Sequence, residues 1–182
     1  MFLHKLVETL KVMKNKTIAN FKYWLLALPA LALIFSCNYS KPQLTPDEIG
    51  RVQHSVNKLT KDLTLDIMLK GPTAWLNYIQ DTANFFMATD GQLAFKDHKS
   101  AVRFIQDSLE KNVSQIILSW KNMRIDPLTN SIASVGSDYS EAITDKSGKT
   151  DYYDGYFTAT VVQVDEGWKF RNMHWSDKPA KK

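Results

Sequence analysis

The chain has 182 residues, 44% hydrophobic and 12% aromatic, which suits one domain with a real core and excludes a disordered tail. A single cysteine, Cys37, excludes an internal disulfide framework and any cysteine-rich metal site. The formal charge of +4 is unevenly placed: residues 1–36 hold five of the 23 Lys and Arg and one of the 19 Asp and Glu, leaving 18 of each sign beyond them, so no nucleic acid is expected as a partner.

The first segment has the order of a secretory signal. Lys5, Lys11, Lys14, Lys16 and Lys22 precede the apolar run "YWLLALPALALIF", Tyr23 to Phe35, which Ser36 and Cys37 follow. The 13 residues of that run, with Pro29 among them, fall short of what a membrane-spanning helix needs. Residues 1–36 are therefore expected to be a signal cleaved before Cys37, the alternative being an uncleaved anchor. Met13 opens a signal of ordinary proportions by itself, so no structure is expected of the residues before it.

"LIFSC" resembles a bacterial lipobox, with Ile34, Ser36 and Cys37 in matching places and Phe35 bulkier than the pattern usually carries. The resemblance implies a lipid on Cys37, hence a membrane-anchored protein of the cell envelope facing the periplasm or the exterior. Residues 37–44, polar, would be its tether.

"TPDE" predicts a helix start, with Thr45 as N-cap, Pro46 at the first helical position and Glu48 placed to complete a capping box. Ile49, Val52, Val56, Leu59, Leu63 and Ile67 recur at helical spacing until Gly71 and Pro72 end the pattern. "PTAWLNYI" predicts a second, shorter helix. In "NFFMATDGQLAF", Asp90 and Gly91 between two apolar runs predict a tight hairpin. Asp97 then caps a third helix whose inward stripe is Ala101, Val102, Ile105 and Leu109.

Beyond Asn112 everything reads as long strands joined by short turns, at Pro127–Asn130, at "DKSGK" and at Asp165–Gly167, predicting an antiparallel meander. Glycines inside strands, Gly136 and Gly155, fit bends that let a sheet curl. The segregation of helices and strands predicts an α+β domain over residues 45–177, about three N-terminal helices packed on one face of a curved sheet, with residues 178–182 as a disordered tail.

The order of elements, with "AWLNYI", "FFMATDGQLAF", "DGYFTATV" and above all "DEGWKFRNMHW", resembles the nuclear transport factor two-like superfamily, in its SnoaL-like, or polyketide-cyclase-like, branch. That resemblance implies a cone-shaped antiparallel sheet around a pocket, and homodimers formed through the sheet. It leaves function open, because the superfamily holds isomerases, cyclases, hydrolases, binding modules and inactive members.

Strict alternation along the last strand puts Trp168, Phe170, Asn172 and His174 on one face, expected to look into the cone, and Lys169, Arg171, Met173 and Trp175 on the other. Trp75, Tyr78, Met87, Tyr153 and Phe157 join the first set as expected pocket lining. His174 has the pKa range for proton transfer but is equally suited to a structural bond. Asp90 falls where ketosteroid-isomerase-like relatives carry a general base, and is also explained by turn chemistry, aspartate being well suited to bond its own backbone. Tyr139 and Asp138 are weaker candidates, since a tyrosine with a protonated acid can polarise a carbonyl but the register that would place them is open.

His54 and His98 show no metal-ligand spacing, so no metal and no cofactor is expected. Two functions follow: a lipid-anchored binding or accessory module holding a small apolar molecule, or a cofactor-independent isomerase or cyclase using acid-base chemistry at Asp90 or His174.

Overall fold

The computed structural model describes residues 43–179. The expected signal, the cleavage point, Cys37 and nearly all of the tether lie outside the described residues.

Helix α1, Pro46–Lys70, begins as its capping residues dictate. The Glu48 N–H donates to Thr45 Oγ1 at 3.3 Å while the Thr45 N–H donates to Glu48 Oε2 at 2.8 Å, so two otherwise orphaned donors are satisfied. Gly71, at φ +83°, adopts a backbone conformation that L side chains rarely take, and Pro72 follows. Val52, Val56, Leu59, Leu63 and Ile67 form the buried stripe of the helix.

The second helical stretch is a 3₁₀ helix, Pro72–Asn77. Strands β1, Phe86–Thr89, and β2, Gln92–Phe95, form the hairpin that Asp90–Gly91 predicts. Asp90 (φ +46°) and Gly91 (φ +79°) are both left-handed, as a two-residue hairpin turn requires. Helix α2, His98–Phe104, is capped by Asp97 and runs through a π turn, Ile105–Leu109, into a last helical turn, Glu110–Asn112.

Four long strands follow: β3, Val113–Thr129; β4, Ile132–Asp145; β5, Thr150–Val164; and β6, Gly167–Asp177. The six strands make one sheet in the order β2-β1-β6-β5-β4-β3. The fold is α+β with a curved sheet, but the sheet is mixed: β1 runs parallel to β6, pairing Phe86 with Asn172 and Thr89 with Trp175. A meander of β3 to β6 leaves the outer edge of β6 open, and the first hairpin fills it.

The core lies between α1 with the 3₁₀ helix and the inner face of the sheet. Phe85, Phe157 and Phe170 are fully buried, each contributing on the order of 2–3 kcal/mol relative to exposure. Trp120 from β3 ties the layers by donating its indole N–H to Thr64 Oγ1 at 2.9 Å.

Two irregularities set which residues face inward. In β3, Lys121 pairs with Asp138 and Arg124 with Gly136, so the strand carries an extra residue near Asn122, whose φ is +52°. In β6, Phe170 pairs with Val161 while Asn172 pairs with the adjacent Thr160, so Arg171 is the extra residue. Asn172 Oδ1 accepts from the Thr160 N–H at 3.2 Å at that disturbed point of the ladder. From there to its end the strand presents its odd-numbered residues inward.

Candidate functional site: an apolar cavity with an acidic end

A cavity of about 250 Å³ opens between the inner face of the sheet, the first hairpin and the α2 segment. Its apolar wall draws Trp75 from the 3₁₀ helix, Met87 from β1, Ile105 and Leu109 from the π turn, and Met173 and Trp175 from β6. A π turn widens the helix locally, a distortion that recurs at functional sites.

The polar groups gather at one end, where Tyr139, Glu141, Tyr153 and Asp177 line the cavity. Register explains their meeting. Tyr139 pairs with Gly155 and Gly155 with Asp177, so the three form one row across β4, β5 and β6. Glu141 pairs with Tyr153 two residues along the same faces. The Tyr139 hydroxyl donates to Asp177 Oδ1.

Gly155 makes that bond possible. A Cβ there would stand 2.2 Å from the Ser176 carbonyl oxygen and 2.7 Å from the Tyr139 ring, so the ring crosses β5 where only glycine leaves room. Trp175 packs edge-on to Tyr139 with centroids 4.7 Å apart, and also meets Trp75, Trp120 and Phe157, which holds the tyrosine from its other side.

The environment shifts Tyr139 and Glu141. Burial, the bond to Asp177 and the charges of Asp177, Glu141 and Asp90 push the Tyr139 phenol up. Burial raises the Glu141 carboxyl to about 7, and the negative charge of Asp177 adds to the effect. Among the described residues neither Glu141 nor Asp177 is in an ion pair.

Of the residues singled out in the sequence, Trp75, Met87, Tyr139 and Tyr153 line the cavity. His174 and Asn172 do not: the extra residue at Arg171 turns them to the outer face, where His174 is exposed, and brings Met173 and Trp175 inward instead. Phe157 and Phe170 lie beneath the cavity in the core, and Trp168 packs against that core near the turn into β6.

Tyr78 is turned away. It donates to Asp66 Oδ2 at 2.7 Å, fastening the end of the 3₁₀ helix to α1, and burial followed by that bond raises its phenol.

Asp90 is exposed and has a structural task. Its Oδ1 accepts from the Asp177 N–H at 2.9 Å and its own N–H donates to the Trp175 carbonyl at 3.1 Å, so the hairpin tip is clamped to the end of β6. Asp138 accepts from Asn122 Nδ2 at 2.8 Å and takes no part in the cavity.

Glu141 and Asp177 were missed by pattern reasoning. The signal for Asp177 is its same-face spacing from Trp175. Glu141 offers only an acidic residue two positions from Tyr139 on a strand. Among the described residues no group of three or more His, Cys, Asp or Glu side chains is placed to hold a metal ion.

No protein-family model matches the sequence, and no curated protein matches it. Solved structures do match. A nuclear transport factor two-like superfamily protein from Salmonella enterica serovar Typhimurium LT2 superposes with a TM-score of 0.61 at 15% identity, covering 73% of this chain and 94% of that one. A proposed scytalone dehydratase from Novosphingobium aromaticivorans DSM 12444 gives 0.64 at 14% identity, covering 74% and 89%. The hexachlorocyclohexane dehydrochlorinase LinA type 3 from Novosphingobium barchaimii LL02 gives 0.54 at 12% identity, covering 72% and 92%. Likeness at this identity speaks for architecture, and in architecture the chain has the nuclear transport factor two-like fold.

Proposed function

We propose that this chain is an exported, lipid-anchored protein that binds a compact, largely apolar molecule, whose polar end sits among Tyr139, Glu141, Tyr153 and Asp177. The observation that carries the reading is the cavity itself: an apolar wall with a few polar groups converging at one end is the usual form of a small-ligand site. Its volume of about 250 Å³ suits a small ligand of one or two rings. Export and the anchor rest on the segment ending at Cys37.

Trp75 and Trp175 line the cavity, so ligand entry is expected to change the tryptophan fluorescence. Titration with 4-phenyl-2-butanone and with small cyclic terpenoids should give saturable quenching together with a raised melting temperature. Absence of both responses across such a panel would argue for a protein-interaction role instead.

Catalysis is a second reading, favoured by one observation: the Glu141 carboxyl at about 7 is tuned near working pH, as a general acid or base requires. Glu141 thereby replaces Asp90 and His174 as the residue to test. The hydrogen of Tyr139 is committed to Asp177, so Tyr153, opposite Glu141, would have to polarise a carbonyl. Enzyme-dependent deuterium incorporation next to the carbonyl of 4-phenyl-2-butanone, lost in Glu141→Gln, would establish that chemistry; no exchange above buffer would leave binding alone.

A further inference from the structure

The cavity end carries negative charge and no positive charge. Glu141 and Asp177 line it, and among the described residues no Lys, Arg or His does. Around Glu141 stand Asp177 on β6, whose charge acts on it, Tyr139 on its own strand and Tyr153 on β5, while Asp90 at the hairpin tip acts on Tyr139. Every one of them is acidic, and Glu141 has neither a hydrogen bond nor a cation stabilising its charged form.

An anionic ligand is therefore repelled here. A neutral ligand leaves the two carboxyl groups without a counter-charge.

The same end is aromatic. Tyr139, Tyr153 and Trp175 line it, with Tyr139 and Trp175 packed edge to face. Carboxylates and aromatic side chains meeting at the end of an apolar cavity are complementary to a cationic head on an apolar body.

Building on the ligand-binding reading, we infer that the cavity takes a compact lipophilic cation, a quaternary or protonated tertiary amine, with its charged nitrogen beside Glu141 and Asp177 and its apolar part against Trp75, Met87 and Met173.

The charge state of Glu141 gives the inference a signature. A cation binds best to the ionised carboxylate, so binding must displace the proton that Glu141 holds below about pH 7. Benzyltrimethylammonium has a fixed charge, so any pH dependence of its binding comes from the protein. For the purified full-length chain its affinity should rise about tenfold between roughly pH 6 and pH 8. The neutral ketone 4-phenyl-2-butanone should show no such rise.

Glu141→Gln should abolish the rise and weaken cation binding at high pH by about tenfold or more. A near-ultraviolet circular dichroism spectrum like that of wild type would show that the variant keeps its aromatic cavity wall. If the ketone binds while the cation does not, or if cation affinity is flat or falls with pH, the cation assignment is overturned and the ligand-binding reading survives. If neither probe binds at any pH, both fall.

Discussion

Tyr139 on β4 donates its hydroxyl hydrogen to Asp177 on β6 by reaching over Gly155 on the strand between them. One glycine thereby lets a side chain bridge two strands, and the bridge forms the acidic end of the cavity. Asp177 is held from its other side as well, through its backbone N–H to the Asp90 carboxylate.

Gly155→Ala should break this arrangement. The new Cβ would meet a backbone carbonyl at 2.2 Å, which cannot swing aside as a side-chain end can. A loss of about 2 kcal/mol or more is expected in urea unfolding. Wild-type stability in that variant would contradict the close approach described here.

Stability should depend on pH through Glu141 in a defined direction. Its folded-state pKa is raised from 4.5 to about 7, so between those values the unfolded chain releases a proton that the folded chain keeps. Stability therefore falls as pH rises through this window, by on the order of 2 kcal/mol allowing for screening at the open end. Urea melts of Glu141→Gln should lack that decline and show a variant more stable than wild type at pH 8. Glu48 acts oppositely: its carboxyl is lowered to about 2, chiefly by the Thr45 backbone N–H and then by Asn130, so its contribution is present above its unfolded value and is lost as pH falls towards 2.

The extra residue at Arg171 makes neighbouring side chains unequal. His174→Ala should leave stability within about 0.5 kcal/mol of wild type and leave ketone binding unchanged. Trp175→Ala removes the ring shared by Trp75, Trp120, Tyr139 and Phe157 and should cost about 3 kcal/mol, with binding lost. The reverse ranking in thermal unfolding and fluorescence titration would restore strict alternation along β6.

The lipid proposal has its own test. Cys37→Ala should move the protein from the membrane fraction to the soluble fraction of fractionated cells. Continued membrane retention would speak for an uncleaved anchor.

Local rules carried much of the fold into view. Thr45, Pro46 and Glu48 specify a helix start within four residues, and Asp90–Gly91 specifies a turn within two, because each device is satisfied by its immediate neighbours. The inward set of β6 was not legible, since the inserted residue at Arg171 is defined by its partner strand and shifts every later residue to the opposite face. The parallel pairing of β1 with β6 was hidden for the same reason, resting on an edge left open by strands that come later in the chain. Tyr139 and Asp177 lie 38 positions apart, and Gly155 between them reads in sequence only as a bend.

The seat of β1 against β6 also has a consequence for the order of assembly. Phe86 and Met87 pair in parallel with Asn172 and Met173, so this wall of the cavity is among the longest-range contacts in the domain. Contacts of that span close late, after the hairpins of the meander have provided an edge to receive them. A chain lacking its last strand would lack Met173, Trp175 and Asp177 from the cavity, so binding competence would report arrival of the C-terminal strand.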